Sequence, residues 1–127
     1  MGQYLIDNNA ISGFLAETLS ANGMAVMSEA IDQTPIISVI TEIEALSWVH
    51  DDKGKEQIIK SFVNDSIVIS LTPEIVARCV RIRRNRKMKT PDAIIAATAL
   101  VHNLTLITND SGFDKVAGLK YLNPYLI

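Results

Sequence analysis

A chain of 127 residues, 48% of them hydrophobic, is long enough to bury a core of its own, which excludes a disordered tail and a disulfide-stapled miniprotein. Cys79 is the only cysteine, so an internal disulfide and a cysteine-built zinc site are both excluded, and a reducing cytoplasm is the expected setting. The net charge of -2 selects no partner, yet seven of the twelve bases fall between Arg78 and Lys89, so the surface is polarised.

The first element is a strand, "QYLI" (3–6), running straight into Asp7. No basic leader precedes that aspartate and no apolar run approaches eighteen residues, so neither secretion nor membrane spanning is expected. Apolar residues at Ile11, Phe14, Leu15 and Leu19 have helical spacing. The stretch "LAETLSANGMAVMSEAI" (15–31) reads either as core packing or as an apolar groove or dimer surface. A second strand, "PIISV" (35–39), leads to a helix whose apolar set is Ile40, Ile43, Leu46 and Val49. "DDKGK" (51–55) breaks the pattern before a helix carrying Ile58, Ile59, Phe62 and Val63. "SIVIS" (66–70) is the third strand, followed by a helix with Ile75, Val76, Val80 and Ile82 facing inward. "TPD" (90–92) has the form of a helix start, with Thr90 as N-cap and Pro91 at the first helical position. The helix runs through Ile94, Ile95, Ala97, Thr98 and Val101, and strands "LTLIT" (104–108) and "KYLN" (120–123) close the chain.

Strands alternating with helical segments imply parallel pairing through crossovers. The expected fold is a three-layer α/β/α sandwich around a mostly parallel sheet of about five strands, forming a single domain over residues 1–127. In such sheets chemistry collects at the carboxyl ends of the strands. Asp7 and Asp110 follow strands, Glu44 lies in the helix after the second strand, and Asp92 lies in the first turn of the helix from 90. Each has a structural explanation of its own. Asp7 and Asp110 suit an Asx turn or helix cap, and Asp92 favours the positive end of a helix dipole. "TEIE" fits a capping box between Thr41 and Glu44. Taken together, four carboxylates at one end of a sheet repel one another and call for a hard cation, Mg²⁺ or Mn²⁺, which can activate water against a phosphodiester.

On these residues the chain resembles the PIN-domain proteins, and among them the VapC-type ribonuclease toxins of VapBC toxin-antitoxin pairs. "YLIDNNAIS", "SVITEIEAL", "TPDAIIAATAL" and "LTLITND" with Phe113 occur in the family's order and spacing. The resemblance implies a metal-dependent endoribonuclease with Asp7, Glu44, Asp92 and Asp110 as catalytic and metal-binding acids, supported by Asn9 and Thr108. It further implies an RNA substrate, with tRNA as the family-based guess, and a cognate antitoxin. A homodimer is also expected. Two departures stand out: Asn8 replaces the more usual Ser or Thr, and Gly112 replaces an acid before Phe113. The last acid is therefore Asp110 or Asp114, with Asp110 favoured as nearer the strand.

The run "RCVRIRRNRKMKTPD" leads directly to Asp92, which makes Arg83, Arg84 and Arg86 candidate RNA contacts. A solvated helix face is the plainer account. His50 and His102 read as structural, and Trp48 and the methionines as core or dimer packing. The competing function is a catalytically inactive PIN-like module that binds RNA or protein. A phosphoaspartyl enzyme fits poorly, because Asn9 stands where a dehalogenase-like phosphatase needs an acid and "SIVISLT" lacks a receiver's acceptor Asp.

Overall fold

The computed structural model describes residues 3–127. In chain order the elements are β1 (Tyr4–Ile6), α1 (Asn8–Leu15), α2 (Ala21–Asp32), β2 (Ile36–Ser38), α3 (Val39–Ser47) and α4 (Lys53–Asp65). They continue with β3 (Ile67–Ile69), α5 (Pro73–Asn85), α6 (Thr90–Val101), β4 (Thr105–Ile107), a 3-10 turn (Ser111–Lys115) and β5 (Tyr121–Leu122). All five expected strands are present, trimmed to their apolar centres.

Every strand pairing is parallel. β4 lies between β1 and β5, with Leu5 opposite Leu106 and Ile107 opposite Leu122, while β2 pairs with β3. The two hydrogen-bonded units meet with β2 packed beside β1, giving the spatial order 3-2-1-4-5. Successive strand residues face opposite layers. Leu5 and Leu106 enter a core with α5, α6 and the 3-10 turn, and Ile6, Ile37 and Ile107 enter a second core with α1 to α4. The expected three-layer α/β/α architecture is therefore the observed one.

Local chemistry accounts for the helix starts. Ser20, Ser38, Asp52 and Thr72 each accept a backbone N–H from the first turn that follows. Two expectations are corrected here. Ser38, not Thr41, caps α3, and Thr41 lies buried inside the helix, so no capping box engages Glu44. Lys89, not Thr90, is the N-cap of α6, without a side-chain cap bond, because helical geometry begins one residue early.

The buried helix faces also differ from the apolar spacing. α3 buries Thr41 and Ala45 and exposes Ile43 and Leu46, with Val49 beyond its end 80% exposed. α5 buries Ile75, Cys79 and Ile82 and exposes Val76 and Val80. In α3 the inward face sits close to the sheet, so the small Thr41 and Ala45 occupy it and the larger Ile43 and Leu46 are displaced outward. The 15–31 stretch serves mainly as core: Leu19, Gly23, Met27 and Ala30 are buried. Gly23 is required by proximity, since a Cβ there would collide with the Pro124 carbonyl, against which the Ser20 N–H also bonds at 3.1 Å. No helix among the described residues is long and apolar enough to cross a membrane.

Candidate active site

Strand order 3-2-1-4-5 reverses direction between β1 and β4, and a crevice forms at such a switch point beyond the carboxyl ends of the two strands. The pairing continues one step past the strands. Asp7 N donates to Ile107 O at 3.0 Å and Thr108 N to Leu122 O at 3.0 Å, so Asp7 and Thr108 stand side by side at the crevice.

Both are buried, Asp7 at 6% exposure and Thr108 at 0%. Thr108 Oγ1 donates to Asp7 Oδ2 at 2.8 Å and accepts the Asp110 N–H at 3.1 Å. Asn9 Nδ2 donates to Thr108 Oγ1 at 3.1 Å and to Asp7 Oδ2 at 3.3 Å, while Asn9 Oδ1 accepts the Asn109 N–H at 3.0 Å. Asp7 occupies the N-cap position of α1, yet its carboxylate reaches only the adjacent Asn8 N–H at 2.9 Å and no N–H deeper in the helix. Helix capping alone therefore does not explain this side chain: its shortest hydrogen bond, from Thr108, ties the end of β1 to the end of β4.

Burial raises the Asp7 carboxyl above its ordinary value. The Thr108 hydroxyl and Asn8 N–H oppose that shift, and the negative charges of Asp92 and Asp110 reinforce it. Glu44, on the exposed side of α3, is raised by partial desolvation and by the charges of Asp7 and Asp92. Asp92, half-buried in the first turn of α6, is raised by desolvation and by Asp110, with Lys89 opposing. The four acids thus lie within reach of one another's fields, as the fold topology requires. The charge of Asp110 is among those that raise Asp7 and Asp92. One Asp110 oxygen also accepts the Gly112 N–H at 2.9 Å, so its turn-forming role is real as well.

Among the described residues no three His, Cys, Asp or Glu side chains converge into a ready ligand cage. The donor set nonetheless fits a hard divalent ion. Its oxygens are carboxylates, they raise one another's proton affinity, and the most buried of them is held rigidly from behind by Thr108 and Asn9. Asp7, Asp92, Glu44 and Asp110 are the residues that can hold such an ion.

The arginines divide. Arg83 and Arg84 line a groove of about 490 Å³ with Thr90 and Ile94 of α6, the helix that carries Asp92. Arg86 instead shares a cavity with Arg78 and Arg81. His50 packs on Trp48 with ring centroids 3.8 Å apart, in line with a structural role. Trp48 itself is 47% exposed and does not belong to the core, because α3 turns its small residues inward. Together with Tyr125 it walls a cavity of about 610 Å³ that includes Asn8, Asn9, Ser12 and Glu44. Sequence patterning alone marks neither aromatic as part of the site. The available signal is Trp48's position four residues after Glu44, one helical turn along the same side.

The family profile described as the PIN domain matches residues 4–119. No curated protein sequence matches the chain. Among solved structures, a toxin-antitoxin complex from Klebsiella pneumoniae is similar at 29% identity and TM-score 0.73, over 98% of this chain and 100% of that one. FitAcB from Neisseria gonorrhoeae is similar at 23% identity and TM-score 0.76, over 98% and 100%. VapBC2 from Rickettsia felis, bound to a DNA fragment from its promoter, shares the fold at 19% identity and TM-score 0.75, over 94% and 97%.

Proposed function

This chain belongs to the PIN-domain family, and from that premise we propose that it is a metal-dependent endoribonuclease, the toxin of a toxin-antitoxin pair. The observation that carries the reading is the buried Asp7, pinned by Thr108 at the strand switch point with the charges of Asp92 and Asp110 upon it. Similarity to toxin-antitoxin complexes from Klebsiella pneumoniae and Rickettsia felis supports an antitoxin partner.

When bound, Mg²⁺ or Mn²⁺ supplies a lowered pKa for water and charge neutralisation at the phosphodiester. Asp7 and Asp92 are its principal holders, with Glu44 and Asp110 completing the shell. Thr108 and Asn9 fix the Asp7 carboxylate so that its free lone pairs face the crevice. A bound cation would offset the mutual repulsion that raises the Glu44 and Asp92 carboxyls and hold both ionised. Arg83 and Arg84, on the groove leading to α6, neutralise phosphates of the RNA, for which a tRNA is the family-based candidate. The protein works as a homodimer in the cytoplasm on this reading.

The test is cleavage of total RNA by purified protein with Mg²⁺ or Mn²⁺, compared with EDTA and with Asp92→Asn. Discrete fragments that require both the metal and Asp92 are expected, and sequencing their ends names the target. A second reading, a non-catalytic PIN-like module, draws on the lack of a ready three-acid cage among the described residues. It predicts RNA or protein binding with the RNA left intact under all conditions.

A further inference from the structure

Trp48 is the only tryptophan in the chain and stands on the wall of the same cavity as Glu44, Asn8 and Asn9. A large aromatic half-open to water is costly unless it has a partner. Its mounting is rigid. Trp48 ends α3 in an extended conformation, and the His50 ring packs on it at 3.8 Å with the planes inclined by 56°. The His50 N–H is in turn anchored to Glu56 Oε2 at 2.8 Å, and Lys53 Nζ meets the same oxygen at 3.2 Å. Trp48 also lines a second cavity with Ser12, His50 and Lys55, whose remaining wall is the apolar set Leu15, Ala16, Ile58 and Ile59. Lys55 is exposed and forms no salt bridge among the described residues. A path therefore leads from Glu44 to an aromatic ring and then to a cation.

That sequence of groups matches a nucleic-acid strand, in which a base can stack on an aromatic face while the next phosphate meets a lysine. An apolar protein segment would also meet the exposed Leu15 and Ile58 on this wall, and light scattering separates that occupant from RNA. Resting on the ribonuclease reading above, we propose that Trp48 is a substrate-positioning residue that stacks an RNA base flanking the bond to be cut, with Lys55 receiving the adjoining phosphate.

Because Trp48 is the sole tryptophan, its fluorescence reports directly on that stacking. EDTA-treated wild-type protein is titrated with a short single-stranded oligoribonucleotide of mixed sequence, with the same oligomer annealed to its complement, and with an abasic ribose-phosphate oligomer. Binding is followed separately by anisotropy of end-labelled RNA. Strong quenching by the single strand alone is expected. Trp48→Ala should weaken binding by about tenfold or more, with the catalytic loss falling on KM rather than kcat, and Trp48→Phe should restore most of it. Lys55→Gln should lower the salt slope of binding by about one.

RNA that binds without changing Trp48 fluorescence overturns the proposal and leaves the nuclease reading intact. RNA that is neither bound nor cleaved overturns both. If Trp48→Ala leaves RNA affinity unchanged but halves the mass measured by light scattering, the ring belongs to a protein interface and the proposal fails.

Discussion

Thr108 Oγ1 donates to Asp7 Oδ2 at 2.8 Å across 101 residues of sequence, joining the ends of the two strands that flank the crevice. The same hydroxyl accepts from Asn9 and from the Asp110 N–H, so one oxygen orients two of the four acids. Thr108→Val keeps the shape and removes every one of these bonds. Cleavage should fall by roughly 10–100-fold, as for other residues that orient a metal-binding group, and stability by about 1–3 kcal/mol, because the buried Asp7 carboxylate loses a donor and the Asn9 and Asp110 N–H groups lose an acceptor. Thr108→Ser should recover most of the activity. Single-turnover cleavage and a denaturant melt check both parts.

Asp7→Asn should abolish cleavage while leaving the metal-free fold intact. Burial and the neighbouring charges already disfavour the Asp7 carboxylate, so removing its charge relieves strain in the protein without metal. The expected melting temperature in EDTA equals or exceeds that of wild type. Thermal unfolding alongside an RNA cleavage assay decides it, and a large drop in melting temperature would contradict the account.

The pH dependence follows from the same electrostatics. Asp7, Glu44 and Asp92 have raised proton affinity in the folded state, so between the ordinary carboxylate range and their folded values the native protein holds more protons than the unfolded chain. Stability from these groups is greatest at low pH and declines as pH rises through the folded values. In EDTA the melting temperature should therefore rise as pH is lowered from neutrality toward the ordinary carboxylate range. Saturating Mg²⁺ should raise it at neutral pH by mass action and flatten the slope. Melting curves over a pH series with and without metal provide the comparison.

Much of this was legible in the sequence because strands are short, continuously apolar runs, and "YLI" and "TLI" announce themselves, as does "IVI" although Ile67 is 52% exposed at the sheet edge. The acids were legible through their place after strands or in first helical turns. What escaped detection has a common cause. α2 buries Gly23, Met27 and Ala30, a face of small and flexible residues that carries little hydrophobic periodicity. α3 reverses its expected face because Thr41 and Ala45 fit against the sheet where Ile43 and Leu46 do not. That reversal is what leaves Trp48 beside Glu44 rather than in the core. The side of a short helix that faces inward is set by the clearance above the sheet, which the sequence of that helix does not encode on its own.

The divided arginines make a prediction in salt. Arg83→Gln and Arg84→Gln together should reduce the salt slope of RNA binding by about two, one for each phosphate deprived of its guanidinium. Arg86→Gln should change it less, since Arg86 opens onto a different cavity with Arg78 and Arg81. Binding isotherms at several ionic strengths separate the cases.

Gly23→Ala tests the closure of the chain's end over α2. A Cβ there meets the Pro124 carbonyl, so the final segment must shift and the Ser20 bond to Pro124 stretch. A loss of about 1–3 kcal/mol is expected, the usual cost of overpacking, and is measurable by urea denaturation.

The pairing of β1 with β4 also sets the order in which the carboxylate cluster can assemble. The ladder partner of the first strand, opposite it at Tyr4 and Thr105, follows it by about 100 residues. Long-range parallel pairing of this kind is slow to close. Asp7 therefore lacks its Thr108 partner until the intervening segment has been translated, and Asp110 comes two residues after Thr108. A product truncated before β4 has neither the Thr108 bond to Asp7 nor the Asp110 charge, so the four carboxylates come together only after the long crossover between the two strands has been made.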